Sequence, residues 1–195
     1  MNVLVDTGLG RLAEVVGAPA GHLLTSLARV GLTPGDIDVV VLTHAHPDHI
    51  GGLVRDGHLT FARARHVISA REWNFWTSEA ELARLPEMLA APARALLPPL
   101  SEANAIHLTN DRDTEIVHGI HLLAAPGHTP GHCVVAVDSG ASRAMFLADA
   151  IIDELQLTNL EWERGRPITG RDRPITPTPA RPSRPGPQPC ARRAY

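Results

Sequence analysis

A β-branched run at residues 37–43 (IDVVVLT) leads directly into His44-Ala45-His46-Pro47-Asp48-His49, and few folds accommodate what that junction demands. The run has the texture of an interior strand, apolar on both faces. Side chains alternate on extended backbone, so His44 and His46 project to the same side. Pro47 biases His46 toward extended or polyproline geometry and ends the strand. Asp48 and His49 then fall at the entry to a helix that begins near Asp48, pointing back across the strand end. Burying three imidazoles and a carboxylate together costs several kcal/mol unless something compensates, and a divalent cation does so. Gly51-Gly52 lets the next stretch of backbone pack close to the strand end. The alternative is a solvated His-rich loop, which is how we read the isolated His22, His58, His107, His118 and His121. The spacing His-x-His-x-Asp-His after a buried strand points to metal instead.

The rest of the chain alternates strand and helix patterns. Val3-Leu4-Val5 reads as a short buried strand ended by Asp6-Thr7-Gly8. Residues 20–31 place Leu23, Leu24, Leu27 and Val30 at amphipathic helical spacing, with Gly31 as a stop. Thr33-Pro34-Gly35-Asp36 reads as a turn or short helix start. Residues 66–69 predict a strand and 71–76 a helix, and residues 79–97 are helical but broken by Pro86 and Pro92. Residues 105–109 and 114–124 carry β texture, with a turn at 110–113. A hairpin of strands 133–137 and 144–147 closes around Asp138-Ser139-Gly140. The alternation predicts an α/β layered domain.

Charge divides the chain in two. All eighteen basic residues are arginine, which fits translation of a GC-rich gene. Residues 1–160 hold ten of them against eighteen acidic residues, a net of −8, whereas the last 35 residues carry +5. An acidic body is a poor partner for phosphate backbones, which argues against nucleic acid as a ligand. No run approaches the ~20 apolar residues of a membrane span. The first residues lack the marks of an export signal, and Cys133 and Cys190 suggest no disulfide framework, so a cytoplasmic location is expected. Residues 163–195 contain eight prolines and eight arginines with almost no apolar periodicity. We expect two parts: a folded domain at 1–162 and a disordered tail at 163–195, whose composition fits a frameshift near residue 162.

Residues 43–52 (THAHPDHIGG) resemble the signature of metallo-β-lactamase-fold hydrolases. Three further segments arrive in that family's order: Leu4-Val5-Asp6-Thr7-Gly8, residues 125–132 (APGHTPGH), and Phe146-Leu147-Ala148-Asp149-Ala150. The resemblance implies a four-layer αββα sandwich, incomplete here at both ends, and two Zn2+ per chain in the intact family. It implies that His44, His46 and His128 hold the first metal, that Asp48 and His49 hold the second, and that Asp149 bridges. His132 is then a non-ligand, used in packing at a strand start or in a hydrogen bond behind a ligand. Asp6 either orients a ligating His through its free ring nitrogen or serves as a strand-end turn residue.

The chemistry that follows is hydrolysis. Two cations ~3.5–4 Å apart acidify a water, and the resulting hydroxide attacks a carbonyl or phosphoryl centre. Asp48, besides binding metal, accepts the nucleophile's proton and passes it to the leaving group. Neither Cys133 nor any Ser shows an activating neighbourhood. Residues 66–76 and 156–162 look most like the quorum-quenching lactonase and methyl-parathion-hydrolase branch, so the expected partner is a small ester, lactone or phosphotriester. Trp73, Trp76, Phe61 and Phe75 cluster in residues 61–76, either lining an apolar pocket or filling core. Lactonases of this group often use a tyrosine near the metals, and the only one here is Tyr195. The family also takes one more His downstream of the bridging Asp, yet no histidine follows His132. A glyoxalase II-like thioester hydrolase and a catalytically impaired metal-binding remnant are therefore the rival readings. A missing edge strand before Val3 would leave an exposed sheet edge that invites association, such as a homodimer.

Overall fold

Short strands whose neighbours alternate between two buried faces set the architecture. A computed structural model of the chain describes residues 1–110 and 112–159. The chain runs β1 (Val3–Val5), α1 (Leu12–Val16), α2 (Leu23–Arg29), β2 (Val39–Val41), α3 (Pro47–Ile50) and a small hairpin of β3 (Val54–Arg55) and β4 (His58–Leu59). It continues through β5 (Arg65–Ser69), α4 (Ala70–Trp76), α5 (Glu79–Leu82), α6 (Glu87–Leu96), α7 (Pro98–Glu102) and β6 (Ile106–Thr109). The meander β7 (Thr114–Val117), β8 (Ile120–Ala124), β9 (Cys133–Ser139) and β10 (Ser142–Phe146) follows. One sheet is parallel with order β1-β2-β5-β6, and the second is antiparallel with order β10-β9-β8-β7.

Alternation along the central strands builds two cores. Val39, Val41 and Val67 face the second sheet, where they meet Ile116, Leu122 and Val135. Val40, Leu42 and Ile68 face the other way, onto Trp76, Leu82, Ala90, Ala93 and Leu97 of the helical side. A helical layer, a parallel sheet and an antiparallel sheet thus stack as the α/β reading requires. Phe61 and Trp76 are fully buried, with Trp73 and Phe75 packed against them, so the aromatic cluster is core. Among the described residues no helix is long and apolar enough to cross a membrane.

Several boundaries differ from expectation for identifiable reasons. The expected strand over 37–43 is regular only at Val39–Val41, although Leu42 N–H still reaches the Val67 carbonyl at 2.8 Å. At Thr43 the Asp6 carboxylate takes the N–H (2.8 Å), and the Thr43 carbonyl accepts from Cys133 N–H of β9 (2.9 Å). The parallel sheet is therefore stitched to the antiparallel one at this point. Helix α3 starts at Pro47 rather than Asp48, because a proline at the first helical position gives up no hydrogen bond. Val30, expected on the apolar face of α2, lies just past its last turn and is 71 % exposed. Pro86 does precede a helix, but Pro92 sits inside α6 without breaking it. The flanking Ala90 and Ala93 pack into the core, and tertiary burial outweighs the lost bond. Residues 114–124 split into two strands at His118-Gly119, the hairpin strand begins at Ser142, and α1 has no counterpart in the sequence reading. Residues 160–195, including the Pro/Arg-rich stretch, lie outside the described residues.

His66, the second residue of β5, is fully buried, and burial holds its imidazole down at about 4. A depressed histidine pKa stabilises the fold above the unfolded value, near 6.5, and that contribution is lost as pH falls through the window to about 4. Going from pH 7.5 to pH 5 should remove about 2 kcal/mol through this residue. Urea unfolding at the two pH values checks it: His66→Leu should show a smaller loss than the parent, and an equal loss would refute the assignment.

Candidate metal centre

The site forms where the C-terminal end of β2 meets the loop between β8 and β9. Residues 42–45 continue from β2 as fully or almost fully buried backbone, and His44 is completely enclosed. His46 has extended geometry (φ −69°, ψ 153°), as expected before a proline, and caps α3, which carries Asp48 and His49. His44 and His46 do project together, with His44 Nε2 3.1 Å from His46 Nδ1. His128 arrives from the β8–β9 loop with its Nε2 2.9 Å from the same His46 Nδ1. Asp149, in the turn after β10, places Oδ2 3.2 Å from His128 Nε2 and 4.0 Å from His44 Nε2, and Oδ1 3.3 Å from His49 Nε2. Asp48 completes the set, 3.6 Å from His49 Nε2 and with its side chain 58 % exposed.

All six sequence-predicted residues therefore converge. They fall into two groups, His44-His46-His128-Asp149 and Asp48-His49-Asp149, with the donor atoms of each group within 4.8 Å of one another. Asp149 is shared. Three ring nitrogens at 2.9–3.1 Å steps cannot all be satisfied by protons passed between them, whereas a cation accepts all three lone pairs. Burial, reinforced by neighbouring imidazoles, pushes His44 well below the ordinary histidine range and His46 to about 4, which keeps both in the neutral form that ligates metal.

His49 behaves oppositely. Burial opposes its charged form, but hydrogen bonds to Asp149 and Asp6 and the nearby carboxylate charges lift it to about 10. The His128 and His49 hydrogen bonds in turn push Asp149 down. Asp6 has the geometry of both alternatives. It turns the chain at positive φ (55°), and its Oδ2 lies 2.8 Å from His49 Nδ1 while also accepting the Thr43 hydroxyl. His132 belongs to neither donor group; its buried ring packs 4.9 Å from that of His44.

The residue that sequence reasoning missed is Glu72. It lies in α4, fully buried, and its carboxylate receives donors from both histidine-bearing loops. The only signal was Ser69-Ala70-Arg71-Glu72, which reads as an ordinary exposed capping box.

The family model for the metallo-beta-lactamase superfamily matches residues 2–185. The chain belongs to that superfamily. An N-acyl homoserine lactonase of Bacillus cereus is 27 % identical over 161 residues, covering 74 % of this chain and 57 % of the relative. A protein of Mycobacterium tuberculosis named "Probable metallo-hydrolase" is 32 % identical over 174 residues, covering 76 % of this chain and 52 % of the relative. Among solved structures, the dizinc quorum-quenching lactonase AidC superposes with a TM-score of 0.63 at 34 % identity, covering 76 % of this chain and 52 % of that one. AbOPH, described as a hydrolase in the beta lactamase superfamily, superposes with a TM-score of 0.62 at 26 % identity, covering 73 % of this chain and 50 % of that one. The chain spans about half the length of the relatives it matches.

Proposed function

We propose that this superfamily chain carries the zinc-binding part of a hydrolase for lactones or related small esters. The observation that carries this reading is the pair of donor groups sharing one Asp149 carboxylate. In this reading His44, His46 and His128 hold one Zn2+, Asp48 and His49 hold a second, and Asp149 contributes to both. Two bound cations would supply an acidified water and polarise the oxygen of the bond being cleaved.

The remaining work falls to the chain's own atoms. Asp6 Oδ2 accepts the Nδ1 proton of His49 once that ring is neutral, which leaves Nε2 facing Asp48 and Asp149. Asp48 is the most exposed of the six and sits at the mouth of the site, so its carboxylate is placed to take a proton from water and return it to the departing alkoxide. The enclosed His44 and nearly enclosed His46 form a dry inner wall. Lactone specificity is supported by what the lactonase relatives are named for. The first donor group has four residues and the second has three, which favours the second reading, a metal binder with one site filled and no turnover.

Zinc analysis and hydrolysis assays on one preparation separate the readings. Two equivalents of zinc with ring opening of an N-acyl homoserine lactone, faster than cleavage of a thioester or an aryl phosphotriester, is the expected result. Faster thioester cleavage would move the assignment to a glyoxalase II-like enzyme. One equivalent without turnover would establish the metal binder, and no zinc would overturn both.

A further inference from the structure

Glu72 has no counterpart among the donor residues, yet it touches the elements that carry three of them. Its Oε1 accepts the Ala45 backbone N–H (3.0 Å), between His44 and His46, and the indole N–H of Trp76 (2.6 Å). Its Oε2 accepts the Thr129 hydroxyl (2.8 Å), next to His128, and the Gly131 N–H (2.8 Å). Trp76 in turn stands edge-on against the His46 ring, with centroids 5.4 Å apart. The carboxylate is wholly enclosed, and four donors fill its acceptor sites. The approach is tight at Gly131, where a Cβ would overlap the Glu72 backbone nitrogen and lie 2.7 Å from its Cα. The β8–β9 loop is thus seated directly on α4.

We propose that Glu72 is a positioning residue that sets the spacing between the His44–His46 segment and the His128 loop, one carboxylate oxygen holding each. The inference rests on the metal reading above. Burying a carboxylate is unfavourable unless its hydrogen bonds are complete, so these four bonds also penalise any displacement of either loop. Metal ligands are commonly held by such outer partners. Here the grip passes through backbone and through Trp76, not through a ligand's ring nitrogen, so it controls where the loops stand more than how each ring is turned.

Glu72→Gln tests the division of labour. An amide keeps one acceptor oxygen and replaces the other with a donor. Thr129 can turn its hydroxyl to accept from that new donor, whereas Ala45 and Trp76 offer only N–H groups. The amide should therefore face the β8–β9 loop, lose the Gly131 bond and loosen His128 selectively. Zinc affinity by chelator competition, the absorption spectrum of the Co2+-substituted protein and the melting temperature of the metal-free protein should be measured together. Zinc affinity is expected to fall 10–100-fold with an altered Co2+ spectrum. Thr129→Val, which removes a single donor, should move both in the same direction by less, and it carries the test if Glu72→Gln does not fold. Arg71→Ala, on the exposed side of the same helix, should leave both unchanged. A lower melting temperature with unchanged zinc affinity and Co2+ spectrum in both variants would make Glu72 merely structural and overturn the inference. Failure of the parent chain to bind zinc would instead overturn the metal reading, and this inference with it.

Discussion

Replacing Asp149 with alanine should abolish the paired zinc stoichiometry in one step, leaving at most one weakly held ion. The reason is topological: Oδ2 faces His128 and His44 while Oδ1 faces His49, so one side chain serves both donor groups. No other residue of the six is shared in this way. Hydrolysis should fall by about 10³-fold or more, equivalent to roughly 4 kcal/mol of transition-state stabilisation. Asp138→Ala, which removes a half-buried carboxylate paired with Arg143 away from the donor groups, supplies the control and should alter neither zinc content nor rate. Zinc analysis after gel filtration, alongside initial rates, decides the matter. Retention of two zinc ions in Asp149→Ala would show that the two groups are not one centre.

The second large effect is expected from Gly51→Ala. A Cβ at Gly51 would overlap the Leu9 carbonyl and lie 2.7 Å from that of Pro47. Both neighbours are backbone, so no side chain can swing away, and the loop after β1 must separate from α3. That loop also holds α3 through Thr7, whose N–H and hydroxyl donate to the His49 carbonyl at 2.7 and 2.8 Å. Moving it draws Asp6 off His49. A loss of about 3 kcal/mol is expected in urea unfolding, accompanied by weaker zinc binding. Gly35→Ala is the matched control, since its nearest neighbour would be Thr33 Oγ1 at 3.7 Å. Equal stability of the two variants would refute the account.

The donor residues were legible to different depths. His44, His46, Asp48 and His49 could be read from elementary geometry, because period-two alternation and a proline fix their directions within six residues. His128 and Asp149 stand 82 and 103 residues beyond His46 and were reachable only through resemblance to a family. Glu72 was invisible, since a local pattern marks it as a solvent-facing cap and only tertiary packing buries it. The same principle explains Pro92, where core contacts of Ala90 and Ala93 outweigh a helix-breaking residue. Helix α1 spans five residues with a single buried side chain, Ala13, too little periodicity to register.

The bond from Cys133 N–H to the Thr43 carbonyl has a mechanical meaning. It joins two plates at the point where their donors interleave: His44, His46, Asp48 and His49 stand on one, His128 and Asp149 on the other. A cation held across that seam works as a rivet, and its binding energy resists shear between the sheets as well as release of any single ligand. With the rivet in place the plates should open together, and without it each should breathe at its own rate in hydrogen exchange.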